Sequence, residues 1–278
     1  MRLWLSLCLL SAAYAAAPKP LAIEQIVLSQ FEDGPPIPTD YYFVPGDTVF
    51  FSFHVAGYKA VGDEDPRVSL TYTIEARDAA KVAIMEPDSG LVDTTLVTED
   101  KDWTPKVRLR VPVPPYAPSG TYSVQVIVRD RVAQRQAVGQ ATFRVKGHDF
   151  EPSETLVVRN FHFYRGEEDQ HPLTTPAYHG GDSLWARFEI TGYKFGPKNE
   201  FDVSYGLELL RPNGGSVFRQ ADAAKESKVT FYPQRYVPAG MSLNLEKNIA
   251  PGEYTLVVLV SDKVGSQKVE SRQVFTVE

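Results

Sequence analysis

Histidines, acidic runs and outward-facing aromatics are the side chains of this sequence able to do chemistry, and their spacing decides which. There are five histidines. His162, His171 and His179 fall in one stretch, but His171 and His179 sit in expected loops without a carboxylate or cysteine at tight zinc-ligand spacing. His54 shares an outward strand face with Ser52 and reads as a solvated surface residue. His179-Gly180-Gly181 has the composition of an oxyanion loop. No G-x-S-x-G elbow accompanies it, and H-E-x-x-H, the P-loop and the dinucleotide fingerprint are also missing. The acidic runs are Asp63-Glu64-Asp65, Glu99-Asp100-Lys101-Asp102 and Glu167-Glu168-Asp169. Calcium asks for about six to eight oxygens. None of these runs has the D-x-[DN]-x-[DN]-G order, and Lys101 opposes a cation. They read as solubilising loop charge. The sequence therefore assigns no catalytic residue, no metal ligand and no cofactor.

The aromatics are the more telling group. Phe50 and Trp185 occupy equivalent positions on strand faces that alternation makes polar, and Trp103 lies in a loop beside Asp102 and Thr104-Pro105. Rings on an outer face stack on sugars or anchor a protein partner, unless a loop or a neighbouring domain covers them. Phe50, Trp185 and Trp103 are the candidate contacts for a protein or a glycan.

The elements that would position them follow from composition and pattern. The chain has 278 residues, 43% hydrophobic and 23% charged, an ordinary globular balance that argues against disorder or a collagen-like chain. Its length suits two domains of roughly 100–150 residues. The net charge of −6 leaves no electrostatic footprint for nucleic acid or an anionic membrane.

Arg2 followed by the apolar run Leu3 to Leu10, then Ala13-Tyr14-Ala15, matches a cleaved signal peptide over residues 1–17. The run is short of the roughly 20 apolar residues a membrane span needs. Cys8 is the only cysteine, so cleavage leaves a chain without disulfides, and no Asn begins an N-x-[ST] acceptor. A secreted or periplasmic bacterial protein is the expectation.

The chain is written twice. PGDTVFFSFHVAGYK (Pro45 to Lys59) and GGDSLWARFEITGYK (Gly180 to Lys194) share Gly, Asp, Phe, Gly, Tyr and Lys in register. Gly120 to Val145 matches Gly252 to Val277 in the same way. The repeat places one β-sandwich domain over 18–147 and a second over 154–278, joined by the polar linker Lys146 to Glu154. The stretch from Lys81 to Lys106 has no clear match in Gly215 to Pro238, so the copies differ most there.

Period-two alternation dominates both copies. Val49, Phe51, Phe53 and Val55 share one face, as do Leu184, Ala186, Phe188 and Ile190. Asp78 to Lys81 and Ala221 to Lys225 contain alanines but are too short for more than a turn. The fold class is all-β, two tandem antiparallel sandwiches of about seven or eight strands each.

Ala117-Pro118-Ser119-Gly120-Thr121-Tyr122 and Ala250-Pro251-Gly252-Glu253-Tyr254 each lead into an alternating strand. This resembles the corner before strand F in immunoglobulin-like and fibronectin type III-like domains. The resemblance implies that the Tyr122 and Tyr254 hydroxyls return to backbone a few residues upstream. The antibody Cys…Trp…Cys pattern is absent, and such folds host many functions. The functional expectation is an exported, non-enzymatic module for protein interaction. Its alternatives are a carbohydrate-binding protein using the outward aromatics and an accessory or inhibitor of a hydrolase.

Overall fold

The computed structural model describes residues 19–97, 100 and 103–278. The signal-peptide expectation, with Cys8, lies outside the described residues, as do Glu99, Lys101 and Asp102 of one acidic run. The structure is almost entirely β. In the first half the strands are β1 (Ala22–Ser29), β2 (Tyr42–Phe43), β3 (Thr48–Ala56), β4 (Arg67–Arg77), β5 (Asp88–Thr95), β6 (Lys106–Pro112), β7 (Gly120–Asp130) and β8 (Arg135–Val145). In the second they are β9 (Val157–Tyr164), β10 (Ala177–Tyr178), β11 (Ser183–Thr191), β12 (Phe201–Leu210), β13 (Ser216–Lys228), β14 (Tyr236–Asn244), β15 (Gly252–Asp262) and β16 (Gln267–Val277).

These strands form four sheets in two matching pairs. Three-stranded β1-β3-β6 stands with five-stranded β2-β8-β7-β4-β5, and β9-β11-β14 stands with β10-β16-β15-β12-β13. The order is the same when each strand number is raised by eight. Backbone irregularities repeat as well. Gln25 in β1 and Asn160 in β9 both adopt left-handed φ, of 48° and 49°, where each strand slips register against its neighbour. A β-bulge of this kind turns the strand and sharpens its twist.

Alternation explains the cores. Val49, Phe51, Phe53 and Val55 are buried, and so are Leu184, Ala186, Phe188 and Ile190. Tyr122, Val124, Val126 and Val128 face them from β7, with Tyr254, Leu256, Val258 and Val260 doing the same from β15. Burying each large side chain contributes roughly 1.5–3 kcal/mol. Two hydrophobic clusters result, one built within residues 21–145 plus Tyr232, the other within residues 156–277.

One segment departs from its sequence reading. Ala221 to Lys225, expected to form no more than a turn, lies inside the thirteen-residue strand β13. Alanine has little strand preference of its own, but Ala224 and Lys225 pair with Tyr205 and Ser204 of β12, while Ala221, Asp222 and Ala223 lie in the register slip between Tyr205 and Leu207. Pairing overrides propensity here. The corresponding β5 has only eight residues, so the halves differ at this sheet edge.

Candidate functional site

The residues shared by the two copies turn out to hold loops. Asp47 accepts the Val44 amide at 2.8 Å, and Asp182 accepts the His179 amide at 2.8 Å. His179-Gly180-Gly181 is therefore the turn entering β11, its first amide engaged by Asp182. The G-Y-K segment is a staple. The Lys59 amide donates to Asp130 at 2.8 Å and the Lys194 amide to Asp262 at 3.0 Å. The Tyr58 hydroxyl donates to the Trp103 carbonyl and the Tyr193 hydroxyl to the Gln234 carbonyl. Asp130 and Asp262 are both buried, and their bonds to backbone amides satisfy charge that would otherwise be costly to desolvate.

Tyr122 and Tyr254 sit at the start of β7 and β15. Their hydroxyls donate to the carbonyls of Pro118 at 2.9 Å and Ala250 at 3.0 Å, each four residues upstream. Burial pushes the Tyr122 phenol up to about 12. Tyr178, whose hydroxyl donates to the Tyr164 carbonyl, is likewise pushed up to about 12 by burial.

The three candidate contact aromatics fall in three different places. Phe50 is half-buried on β3, with the Arg110 guanidinium 5.5 Å above its ring. It lines a groove of about 350 Å³ together with Glu32, Asp33 and Arg108. The charges there are internally matched. Asp33 receives Lys106 at 2.5 Å and Arg108 at 3.0 Å, and these hydrogen bonds, Arg108's first, hold its carboxyl down at about 2. Trp185 is half-buried on β11 and lines a groove of about 730 Å³ with Tyr164, Arg187, His162 and Glu189. The Arg187 guanidinium stands 4.4 Å over the Tyr164 ring and donates to the carbonyls of Glu167 and Asp169. Part of the third acidic run is thus a loop folded over this groove. Trp103 packs edge-on to Tyr58 at 6.5 Å, against the first core. The structure does not gather Phe50, Trp185 and Trp103 into one site.

His54 is only half-exposed, with Nδ1 3.2 Å from the Thr104 hydroxyl. This corrects its reading as a solvated surface residue: the loop before β6 lies against it. Its counterpart Glu189 accepts from Asn160 at 3.0 Å and pairs with His148 at 2.5 Å. Among the described residues, no three His, Cys, Asp or Glu side chains converge as a metal site. No helix of the described residues is long and apolar enough to cross a membrane.

Two further features went unseen in the sequence. One is a junction between the halves. Asp78, in the turn after β4, is 1% exposed and accepts from the Val82 amide at 2.7 Å, the Tyr232 hydroxyl at 2.8 Å and Arg235 at 3.3 Å. Tyr236 is met by Tyr116 of the first half and by His148 and Phe150 of the linker, with ring centroids 5.6, 4.9 and 5.5 Å away. The other feature is the outer edge of β13. It ends the order of its sheet, almost every residue is exposed, and Val217 and Phe218 lie on it at 39% and 42% exposure. Its backbone offers donors and acceptors to another strand most regularly over 224–228, because register against β12 slips between Gln220 and Ala224 and again between Ser216 and Phe218. Its only sequence signal was the failure of Gly215 to Pro238 to match the other copy.

No protein-family model matches this chain, and no curated protein matches it. Solved structures align weakly. The C-terminal domain of the Streptococcus agalactiae AgI/II polypeptide BspA covers 93% of this chain and 100% of its own at 9% identity, with a TM-score of 0.30. The C-terminal domain of the Streptococcus pyogenes antigen I/II-family protein AspA covers 93% and 99% at 11% identity, with a TM-score of 0.31. The Pseudomonas fluorescens alkylpurine DNA glycosylase AlkC, bound to DNA with an abasic site analog, covers 44% of this chain and 30% of its own at 11% identity and a TM-score of 0.30. Likenesses this weak carry no argument about what the chain does.

Proposed function

We propose that this chain is an exported, non-enzymatic binding module of two tandem immunoglobulin-like sandwiches, spanning 18–147 and 154–278, that engages a protein partner by strand addition at β13. The observation that carries the reading is the thirteen-residue exposed edge, five residues longer than β5 at the same place in the other half. Strand addition takes its affinity from main-chain hydrogen bonds and its selectivity from the side chains along the edge. Strand order supports the immunoglobulin-like part of the reading. With the strands lettered from β1, three pair as A-B-E and five as A′-G-F-C-C′ in each half.

The test is crosslinked capture from the extracellular or envelope fraction of the source cells, with proline placed at Ala224 and, separately, at Lys225. Adjacent residues of an edge strand send their amides to opposite sides. One substitution therefore breaks a bond to β12 while the other removes only an outward donor. The reading expects the outward proline to abolish capture with the fold intact. Capture unchanged in both variants contradicts it.

A second reading, glycan binding at Trp185, rests on the position of its ring in a groove beside Tyr164 and Arg187. Polysaccharide retention lost in Trp185→Ala would favour it.

A further inference from the structure

The outer face of the five-stranded sheet in the first half carries a concave groove of about 820 Å³. It is lined by Arg67 from β4, Arg129 from β7, Arg131 from the following turn and Arg135 from β8, with Asp93 and Asp130 the only carboxylates. In a chain of net charge −6, four guanidiniums around one hollow need an explanation.

The two carboxylates are already committed. Asp93 closes a two-point pair with Arg67 at 2.7 and 3.0 Å. Asp130 is buried, accepts the amides of Lys59, Val132 and Ala133, and stands 3.8 Å from Arg135. Arg135 in turn donates to the carbonyls of Lys19 and Gly57. Arg129 and Arg131, both exposed, hydrogen-bond to neutral partners, Gln136 at 3.1 Å and the Ser69 hydroxyl at 3.4 Å, and Arg131 also lies within electrostatic reach of Asp93, whose forked hydrogen bonds go to Arg67. Each guanidinium has five donors in a planar fork, so a single neutral contact leaves several for an oxyanion.

The duplication supplies an internal comparison. Leu70 opposes Asp130 as Val203 opposes Asp262, which aligns the two hollows residue by residue. Glu200 then stands for Arg67, Asp202 for Ser69, Ser261 for Arg129 and Gln267 for Arg135. Of the four arginines, only Arg131 keeps a cation, as Lys263. The shared fold has no need of the arginines, since the second half folds the same way without them.

We infer that this groove binds an acidic polysaccharide, with Arg129 and Arg131 taking its carboxylate or sulfate groups. Val132 is the only apolar residue of the lining, whereas Ser69, Thr71, Gln134 and Gln136 set hydroxyls and amides between the cations. That mixture suits sugar hydroxyls and offers no pocket for a peptide's apolar side chains. The hollow is also far larger than one free oxyanion. This binding is independent of the β13 edge.

The test is retention at low ionic strength on immobilised heparin and on polygalacturonate, with inorganic sulfate and poly-glutamate as competitors at matched ionic strength. The expected result is retention on at least one polysaccharide that weakens as salt rises. Arg129→Ser with Arg131→Ser should lower affinity about tenfold or more, each tenfold being about 1.4 kcal/mol. Arg272→Ser, an exposed cation of the second half, should leave it unchanged. Both substituted positions are exposed, and thermal melting monitors the fold. No retention on either polymer, undiminished retention of the double variant, or displacement by sulfate or poly-glutamate as effective as by free polysaccharide would overturn the inference.

Discussion

The Tyr232 hydroxyl of the second half donates to the buried Asp78 carboxylate of the first at 2.8 Å, across 154 residues of sequence. Arg235 and the Val82 amide complete the shell around that carboxylate. A charged, desolvated hydrogen bond thus ties the second half of the chain to the first.

Tyr232→Phe should cost about 1.5–3 kcal/mol, the range for a hydrogen bond to a charged group, because it leaves Asp78 buried with one donor fewer. Asp78→Ala should cost at least as much, since it strips the Val82 amide and Tyr232 together. Denaturant unfolding checks both. A Tyr232→Phe midpoint equal to that of the parent would show that the junction is not held by this bond.

Buried phenols predict alkaline sensitivity. Burial pushes Tyr122 and Tyr178 up to about 12, and Tyr193 and Tyr232 are driven upward by burial too, Tyr232 also by its bond to Asp78. The folded chain keeps these protons to higher pH than the unfolded chain does. Their contribution is therefore whole below a pH of about 10, the ordinary phenol value; for Tyr122 and Tyr178 it is lost as pH rises from there through 12, and for Tyr193 and Tyr232 the loss continues to higher pH. Denaturant midpoints measured across that window should fall, and Tyr122→Phe should flatten the fall.

Much of the fold could be read from residue types, and the reasons are physical. Phe51, Phe53, Phe188 and Ile190 alternate with Ser52, His54, Arg187 and Glu189, the period-two pattern of a half-buried strand. The repeated G-Y-K and Asp pairs were visible as a pattern, but their role as staples depends on which backbone amide a loop brings to Asp130 or Asp262. Asp78 gave no signal, because its burial depends on Tyr232 and Arg235 from the other half. Nor did the strand at Ala221 to Lys225, where Ala224 and Lys225 pair with β12 across a register slip that no residue pattern announces. The groove arginines are scattered from Arg67 to Arg135 and meet only on the folded sheet face.

Gly57 and Gly192, at matching places in the two halves, combine a left-handed φ with close backbone approach. A Cβ at Gly192 (φ 76°) would lie 1.9 Å from the Thr155 carbonyl oxygen, and one at Gly57 (φ 69°) would lie 2.0 Å from that of Pro20. Gly57→Ala and Gly192→Ala should each destabilise by more than about 1 kcal/mol, the cost of an incompatible backbone being larger than the usual entropic gain. Hydrogen exchange should show β1 or β9 opening first. Unchanged protection in those strands would contradict this.

Asp33 offers a local check on the Phe50 groove. Its carboxyl should titrate at about 2 by NMR, held there by Arg108 first and then Lys106, and Arg108→Ala should move it toward the ordinary 3.8. A parent value already at 3.8 would mean that these pairs do not persist in solution.

Strand addition predicts that a bound partner covers the outer edge of β13. Hydrogen exchange of the protein alone and crosslinked to the captured partner measures this directly. If strand addition is the mode of binding, alternate amides over the regular stretch 224–228 of β13 gain protection while the faces around Phe50 and Trp185 stay unchanged. Protection gained around Trp185, with the β13 edge still exchanging freely, would contradict it.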